Sequence, residues 1–452
     1  MNKNITVEEI LKATNGTLIY GSKLEECENF SKNTKEIKEG DVYIGFKGER
    51  FDGGKFYEDA LKNGAKGAII NKIDGLEIKR LENKIVIQVD DTVEAVGQIA
   101  KLKREKYNIP VIAITGSVGK TSTKDIIYSV VSQKYNALKT QGNMNNHIGM
   151  PMTILGLRDH EALVVEMGMN HLQEMSRLSM IARPDIACIT NVGTAHIGEL
   201  GSRENILKAK LEIINGMKEG STLIINQDND MLQTVELPHL NVVRVGKGKE
   251  ASIQASHIVL EETKSSFEVE YQGKKEIIEV PVQGEHNISN ALIAIAVGIE
   301  LNISLEDIKK GIQEFKLTKN RMDILEKNHK TVIDGTYNAS VDSMKSSIDV
   351  LANYKKRKVA ILADMLELGD YSQQLHEEVG SYVASKGIDI LVCVGKEAKY
   401  IYQKARESMK DVYYFESNQE VIARLDELLK EDDVILVKGS HSMNLKEVVE
   451  KI

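Results

Sequence analysis

One stretch constrains this chain more than any other: Val111-Ile112-Ala113-Ile114-Thr115-Gly116-Ser117-Val118-Gly119-Lys120-Thr121. The apolar run after Pro110 reads as a buried strand, the glycines allow a tight turn, and Lys120-Thr121-Ser122 opens a helix. A strand that turns into a helix N-terminus can wrap backbone N–H groups around phosphates, place the Lys120 charge on them and offer the Thr121 hydroxyl to Mg²⁺. Thr115, Gly116, Ser117, Val118, Gly119, Lys120, Thr121 and Ser122 are therefore expected to hold nucleotide phosphates. Ile114 stands where a full GxxxxGK[ST] loop has its first Gly, and the shortened TGSxGKT form points away from ordinary P-loop kinases.

Such a loop needs a mostly parallel sheet, and the surrounding pattern supplies one. Apolar runs at Ala162-Leu163-Val164-Val165, Ile186-Ala187-Cys188-Ile189 and Thr222-Leu223-Ile224-Ile225 alternate with helical stretches. From about residue 241 to 282 short alternating strands read as an antiparallel elaboration. At 452 residues, more than one core is expected. The reading is α/β with three domains. Residues 1–98 form a small α/β domain, 99–318 a central parallel-sheet domain, and 319–452 a Rossmann-like domain built on Val359-Ala360-Ile361-Leu362, Ile390-Leu391-Val392 and Val434-Ile435-Leu436.

Composition narrows the function classes. No basic-then-apolar leader opens the chain and no apolar run suggests a membrane span, so a cytoplasmic protein without membrane contact is expected. Cys27, Cys188 and Cys393 are widely spaced, which argues against a disulfide framework or a zinc site. A net charge of −8 disfavours nucleic acid as a partner.

Two further segments end strands of the central sheet, where such sheets bind ligands: Val165-Glu166-Met167-Gly168 and Asn191-Val192-Gly193-Thr194-Ala195-His196. Glu166 is a hard oxygen ligand and His196 a borderline one, so together they can hold a second Mg²⁺, although each residue alone is more often structural. Asn143, Asn145 and Asn146 suit either polar ligand contacts or simple turns.

These residues, with KGERFDGG, GEHNISNALIA, NRMDI, ADMLELGDYSQQLHEEVG and VKGSHSMNL, make the whole chain resemble the Mur ligases of bacterial cell-wall synthesis. The resemblance implies ATP and Mg²⁺ as cofactors, with Lys120, Glu166, His196 and Lys210 as catalytic residues and Thr121, Glu166, His196 and Lys210 around metal. Lys210 matches the Lys that the family carbamylates. His286, Asn287 and Asn290 match the segment near adenine, while Arg321 and Asp334 match nucleotide contacts from the third domain. UDP is expected on the first domain near Asn33, Thr34 and Lys35, which stand in place of the usual Asp-Ser-Arg. Asn145, Asn146, Tyr337, Asn338 and Lys438 are expected at the substrates. Further departures are Gly335, Ser340, Val341 and His441.

The resemblance implies the family reaction that joins UDP-N-acetylmuramoyl tripeptide to D-alanyl-D-alanine through an acyl phosphate, in a monomer whose third domain closes over ATP, and the ADMLELG and VKGSHSM segments favour a cell-wall ligase over a folylpolyglutamate synthetase. The absence of a DNPxxR signature argues against the diaminopimelate-adding member. The alternatives are a folylpolyglutamate synthetase-like ligase, which shares the shortened loop, and a non-catalytic nucleotide-binding partner.

Overall fold

The strand Val111–Thr115 is buried along its whole length, as are its neighbours Ala162–Glu166 and Ile186–Ile189. Strands covered by helices on both faces lose in–out alternation and read as continuous apolar runs. In the computed structural model, which describes residues 3–48, 51–72, 82–271, 273–318 and 322–452, these strands belong to a nine-stranded sheet. Parallel pairing runs from Ala137–Lys139 through Ala162–Glu166, Val111–Thr115, Ile186–Ile189, Thr222–Asn226 and Asn241–Gly246 to the start of Ile253–Leu260. Only Ser265–Tyr271 and Lys274–Val280 add in antiparallel fashion. The change of direction thus comes later than the sequence pattern suggests. The crossover before Asn241–Gly246 carries only the short helix Asp230–Gln233, too brief to show a helical period.

The carboxyl-terminal unit pairs Lys330–Gly335, Val434–Lys438, Lys358–Ala363, Ile390–Val394 and Val412–Phe415 in parallel, with Asp323–Lys327 as an antiparallel edge. The amino-terminal unit pairs Phe30–Ser31, Val42–Gly45, Gly67–Asn71 and Ile85–Val89 in parallel, edged by Thr17–Tyr20. The helix Thr92–Glu105 joins that unit to the central one. Asp91 starts it by accepting from Val93 N and Glu94 N, and it packs on Val7–Thr14 as well as on Gly149–Leu155 and Glu174–Ala182. Residue 98, the expected boundary, lies inside this shared helix.

Behind the Gly-rich turn, the helix Lys120–Val131 is backed by Glu285–Glu300 and Leu305–Glu314. Glycines set the spacing. A Cβ on Gly311 would sit 2.6 Å from Val130 Cα and 3.0 Å from Ser129 O, both backbone atoms that cannot rotate away. Gly311→Ala would gain about 1 kcal/mol of helix propensity but force apart two packed helices at roughly 1–3 kcal/mol or more. The expected result is a net loss of stability, read as a lower urea midpoint at unchanged m-value; a midpoint that rises would refute this account of the packing.

Candidate active site

The carboxyl ends of Val111–Thr115, Ala162–Glu166 and Ile186–Ile189 open into a cavity of about 680 Å³, whose opposite wall comes from the carboxyl-terminal unit. Thr115 to Ser122, Asn145, Asn146, Glu166, His196, Lys210, His286 and Asn287 line one side, and Tyr337, Asn338, Glu367, Lys438 and His441 the other.

The phosphate-loop shape is held from below. Gly116 has φ +153°, and a Cβ there would fall 1.9 Å from Thr190 Oγ1. Asn191 Oδ1 accepts from Ser117 N at 3.0 Å and Val118 N at 2.9 Å, while Thr190 Oγ1 donates to Val118 O at 2.6 Å. Lys120 Nζ folds back to donate to Gly116 O at 2.8 Å. Asn290 serves the loop from behind: its Oδ1 accepts from Thr123 Oγ1 at 2.9 Å and lies against Gly119, so it supports the cavity without lining it.

Glu166 is 1% exposed. Thr121 Oγ1 donates to one of its oxygens at 2.9 Å and Asn145 Nδ2 to the other at 2.7 Å. Lys124, fully buried one turn beyond Lys120, places Nζ 4.0 Å from Glu166 Oε2 and 3.5 Å from Asp125 Oδ1, with no hydrogen-bond partner of its own. Burial lowers the Lys124 pKa, and the Asp125 and Glu166 charges oppose that. Among the described residues no group of three or more His, Cys, Asp or Glu converges. One carboxylate beside one hydroxyl suits Mg²⁺, a hard cation that takes most of its ligands from phosphate and water.

His196, in the left-handed region at φ +64°, sets Nδ1 2.8 Å from Glu367 Oε2 across the cavity. That contact holds the Glu367 carboxyl below its ordinary range. Lys210 is 2% exposed, and burial together with the Lys120 charge pushes its ammonium well below the usual lysine range. Asp334 does not line the cavity; its Oδ1 accepts from Thr336 N at 2.9 Å and Thr336 Oγ1 at 2.6 Å. Lys438 Nζ donates to Asn338 O at 2.9 Å. Asn33, Thr34 and Lys35 form a turn in the amino-terminal unit, with Lys35 N donating to Asn33 Oδ1 at 3.1 Å, and do not line the cavity. Arg321 lies outside the described residues. Sequence reasoning missed Lys124, Asn191 and Glu367. Asn191 and Glu367 both sit in motifs it had singled out, but Glu367 gains its meaning only through a contact 171 positions away in the chain.

His286 opens on the cavity, and desolvation, then the Lys438 charge, lowers its pKa to about 4. Between about pH 6.5 and 4 the unfolded chain takes up a proton here that the folded chain refuses, so stability falls as pH falls through that window. His286→Gln removes this contribution. The variant is expected to show a shallower acid decline of the denaturation midpoint than the parent; an equal or steeper decline would contradict the assignment.

Two family models match the chain: the Mur ligase middle domain over residues 114–298 and the Mur ligase, glutamate ligase domain over 320–441. A Bacillus subtilis (strain 168) UDP-N-acetylmuramoyl-tripeptide–D-alanyl-D-alanine ligase is 36% identical over 99% of this chain and 98% of its own length. The Escherichia coli (strain K12) protein of the same description is 32% identical over 99% and 98%. Among solved structures, MurF from Acinetobacter baumannii matches with TM-score 0.89 and 31% identity over 99% of this chain and 98% of its own. MurF ligase from Thermotoga maritima, crystallised with ADP, matches with TM-score 0.82 and 29% identity over 94% and 96%. A Mycobacterium tuberculosis folylpolyglutamate synthase, at 15% identity and TM-score 0.63 over 79% of this chain and 94% of its own, shares the fold alone. With relatives matched from end to end, the chain belongs to the Mur ligase family, in its UDP-N-acetylmuramoyl-tripeptide–D-alanyl-D-alanine ligase branch.

Proposed function

We propose that the protein is an ATP-dependent ligase that adds D-alanyl-D-alanine to UDP-N-acetylmuramoyl tripeptide in peptidoglycan precursor synthesis. The observation that carries this reading is one cavity in which the phosphate loop, Glu166 and Lys210 of the central unit face Lys438 and His441 of the carboxyl-terminal unit, in a chain matched over its full length by relatives of that description.

A carboxylate oxygen of the tripeptide attacks the γ-phosphorus of ATP, and ADP leaves. Lys120, released from Gly116 O, places its charge on the transferring phosphoryl oxygens, and the loop N–H groups orient them. The dipeptide amine then attacks the acyl carbon, passes through a tetrahedral intermediate and expels phosphate. Thr121 and Glu166 are the groups that would hold Mg²⁺, with His196 at the cavity edge; the cation would supply neutralisation of phosphate charge. Burial pushes the Lys210 ammonium well below the usual lysine range, which favours the amine that adds carbon dioxide, and its carbamate would supply an anionic oxygen to the site. His286 and Asn287 suit the adenine side, supported by Asn290, and Arg321 is assigned to the nucleotide from the third domain, with Asp334 behind the cavity wall, where it holds Thr336. Residues 1–98 would hold the UDP part near Asn33, Thr34 and Lys35, residues 99–318 the ATP, and residues 319–452 the amine, near Tyr337 and Asn338. The enzyme is taken to work as a monomer in the cytoplasm; no helix among the described residues is long and apolar enough to cross a membrane.

An acyl phosphate must be kept from water, and docking of the two units provides the enclosure. Gly198 N donates to Glu367 O at 3.2 Å, Thr194 N to Asp342 Oδ2 at 3.2 Å, and Tyr371 OH to Gly201 O at 2.7 Å.

Phosphate release is expected with ATP, Mg²⁺, the UDP tripeptide and D-alanyl-D-alanine together, with a product heavier by one dipeptide less water. Release that ignores the dipeptide, or none despite ATP binding, would refute the reading. A second expectation concerns docking. A Cβ on Gly198 would lie 2.7 Å from both Glu367 O and Gly369 N, so Gly198→Ala should lower kcat roughly tenfold to a hundredfold at unchanged ADP affinity. Full turnover in that variant would show that this contact is not needed for closure.

A further inference from the structure

His376 is fully buried in the helix Ser372–Ala384, and nothing in the reaction described above uses it. Both ring nitrogens meet backbone. Met365 N donates to Nε2 at 3.0 Å, which leaves the proton on Nδ1, and Nδ1 donates to Ser372 O at 2.7 Å. A buried imidazole with one accepted and one donated backbone bond is fixed in a single neutral tautomer. Burial lowers its affinity for a second proton, against the charges of Asp364 and Glu397.

Met365 begins the turn that reaches the cavity. Leu366 N donates to Ser440 Oγ at 2.9 Å, Glu367 is held at φ +65°, and its carboxylate meets His196 of the central unit. A left-handed non-glycine residue persists only where its surroundings determine it. The determinants here are Ser440 on one side of the turn, His376 beneath it and Gly198 N of the central unit, which donates to Glu367 O at 3.2 Å.

Resting on the ligase reading, we propose that His376 is a positioning residue for the reaction: by accepting from Met365 N it holds residues 365–368 in the shape that carries Glu367 to His196 and completes the cavity wall. Glu367 is the group through which it acts.

The test is a double-mutant cycle on the full chain, with turnover measured for His376→Leu, His376→Gln, Glu367→Ala and the Leu/Ala double variant. His376→Leu is expected to lower kcat about tenfold while leaving ADP affinity unchanged. His376→Gln, whose Oε1 can still accept from Met365 N, is expected to recover most of that loss. The double variant should be no worse than the poorer single one. Additive losses, an inert Glu367→Ala, or a Gln variant as poor as Leu would each overturn the proposal. The His196 ring resonances in protein with ¹⁵N-labelled histidine give a readout without turnover: they should move in His376→Leu and return in His376→Gln. Unmoved resonances would sink the positioning role even if the parent proved inactive, an inactivity that by itself would count only against the ligase reading. Should His376→Leu fail to fold, His376→Asn, too short to reach Met365 N, takes its place in both measurements.

Discussion

A carboxylate withdrawn from water costs several kcal/mol unless neighbours compensate it, and Glu166 is such a group. Thr121, Asn145 and Lys124 surround it, from the phosphate-loop helix, the Asn-rich loop and the helix again. Two separate segments, the helix Lys120–Val131 and the Asn-rich loop, are thereby brought to one point at the end of the strand Ala162–Glu166. The same compensation prepares the site for chemistry. The Thr121 hydroxyl and the Glu166 carboxylate already lie side by side and would hold an incoming cation, whose charge the carboxylate would neutralise and the nearby Lys124 would oppose.

The loop above obeys a related rule. Buried N–H groups need partners, and Asn191 provides a neutral one for Ser117 and Val118. The turn is therefore shaped before any phosphate arrives. Hydrogen bonds to an anion are roughly twice as strong as those between neutral groups, which gives a phosphate oxygen the advantage over the Asn191 amide for the same donors. Lys120 is held similarly, on a carbonyl of its own loop, and its bond to Gly116 O is one a phosphate outcompetes by charge.

Much of this was legible in the sequence, for definite reasons. Strands buried on both faces leave unbroken apolar runs, so Val111–Thr115, Ile390–Val394 and Val434–Lys438 stand out. The loop is legible because Gly116 and Gly119 are required by backbone geometry. What was not legible depends on contacts remote in sequence. Asn241–Gly246 looks like the strands after it, and only its partners Thr222–Asn226 and Ile253–Leu260 make it parallel. Lys124 reads as another helical lysine until the fold closes over it, and His376 as a polar residue on a charged helix until Met365 is placed against it. Asp334 is a separate case, a local turn contact in which its Oδ1 accepts from Thr336, and residue type alone does not reveal it.

The division of labour between the units follows from these constraints. Everything that handles phosphate sits on one rigid sheet, where buried charges and glycine contacts leave little freedom. The opposite wall meets it through backbone and polar groups, Gly198 and Thr194 against Glu367 and Asp342, beside buried apolar residues of both units, Ile197 and Leu200 with Leu368. An enzyme that must admit a large nucleotide-linked peptide, ATP and a dipeptide and then exclude water needs both properties at once: a fixed half that activates the carboxylate, and a half that arrives with the rest of the site already shaped by its own internal hydrogen bonds.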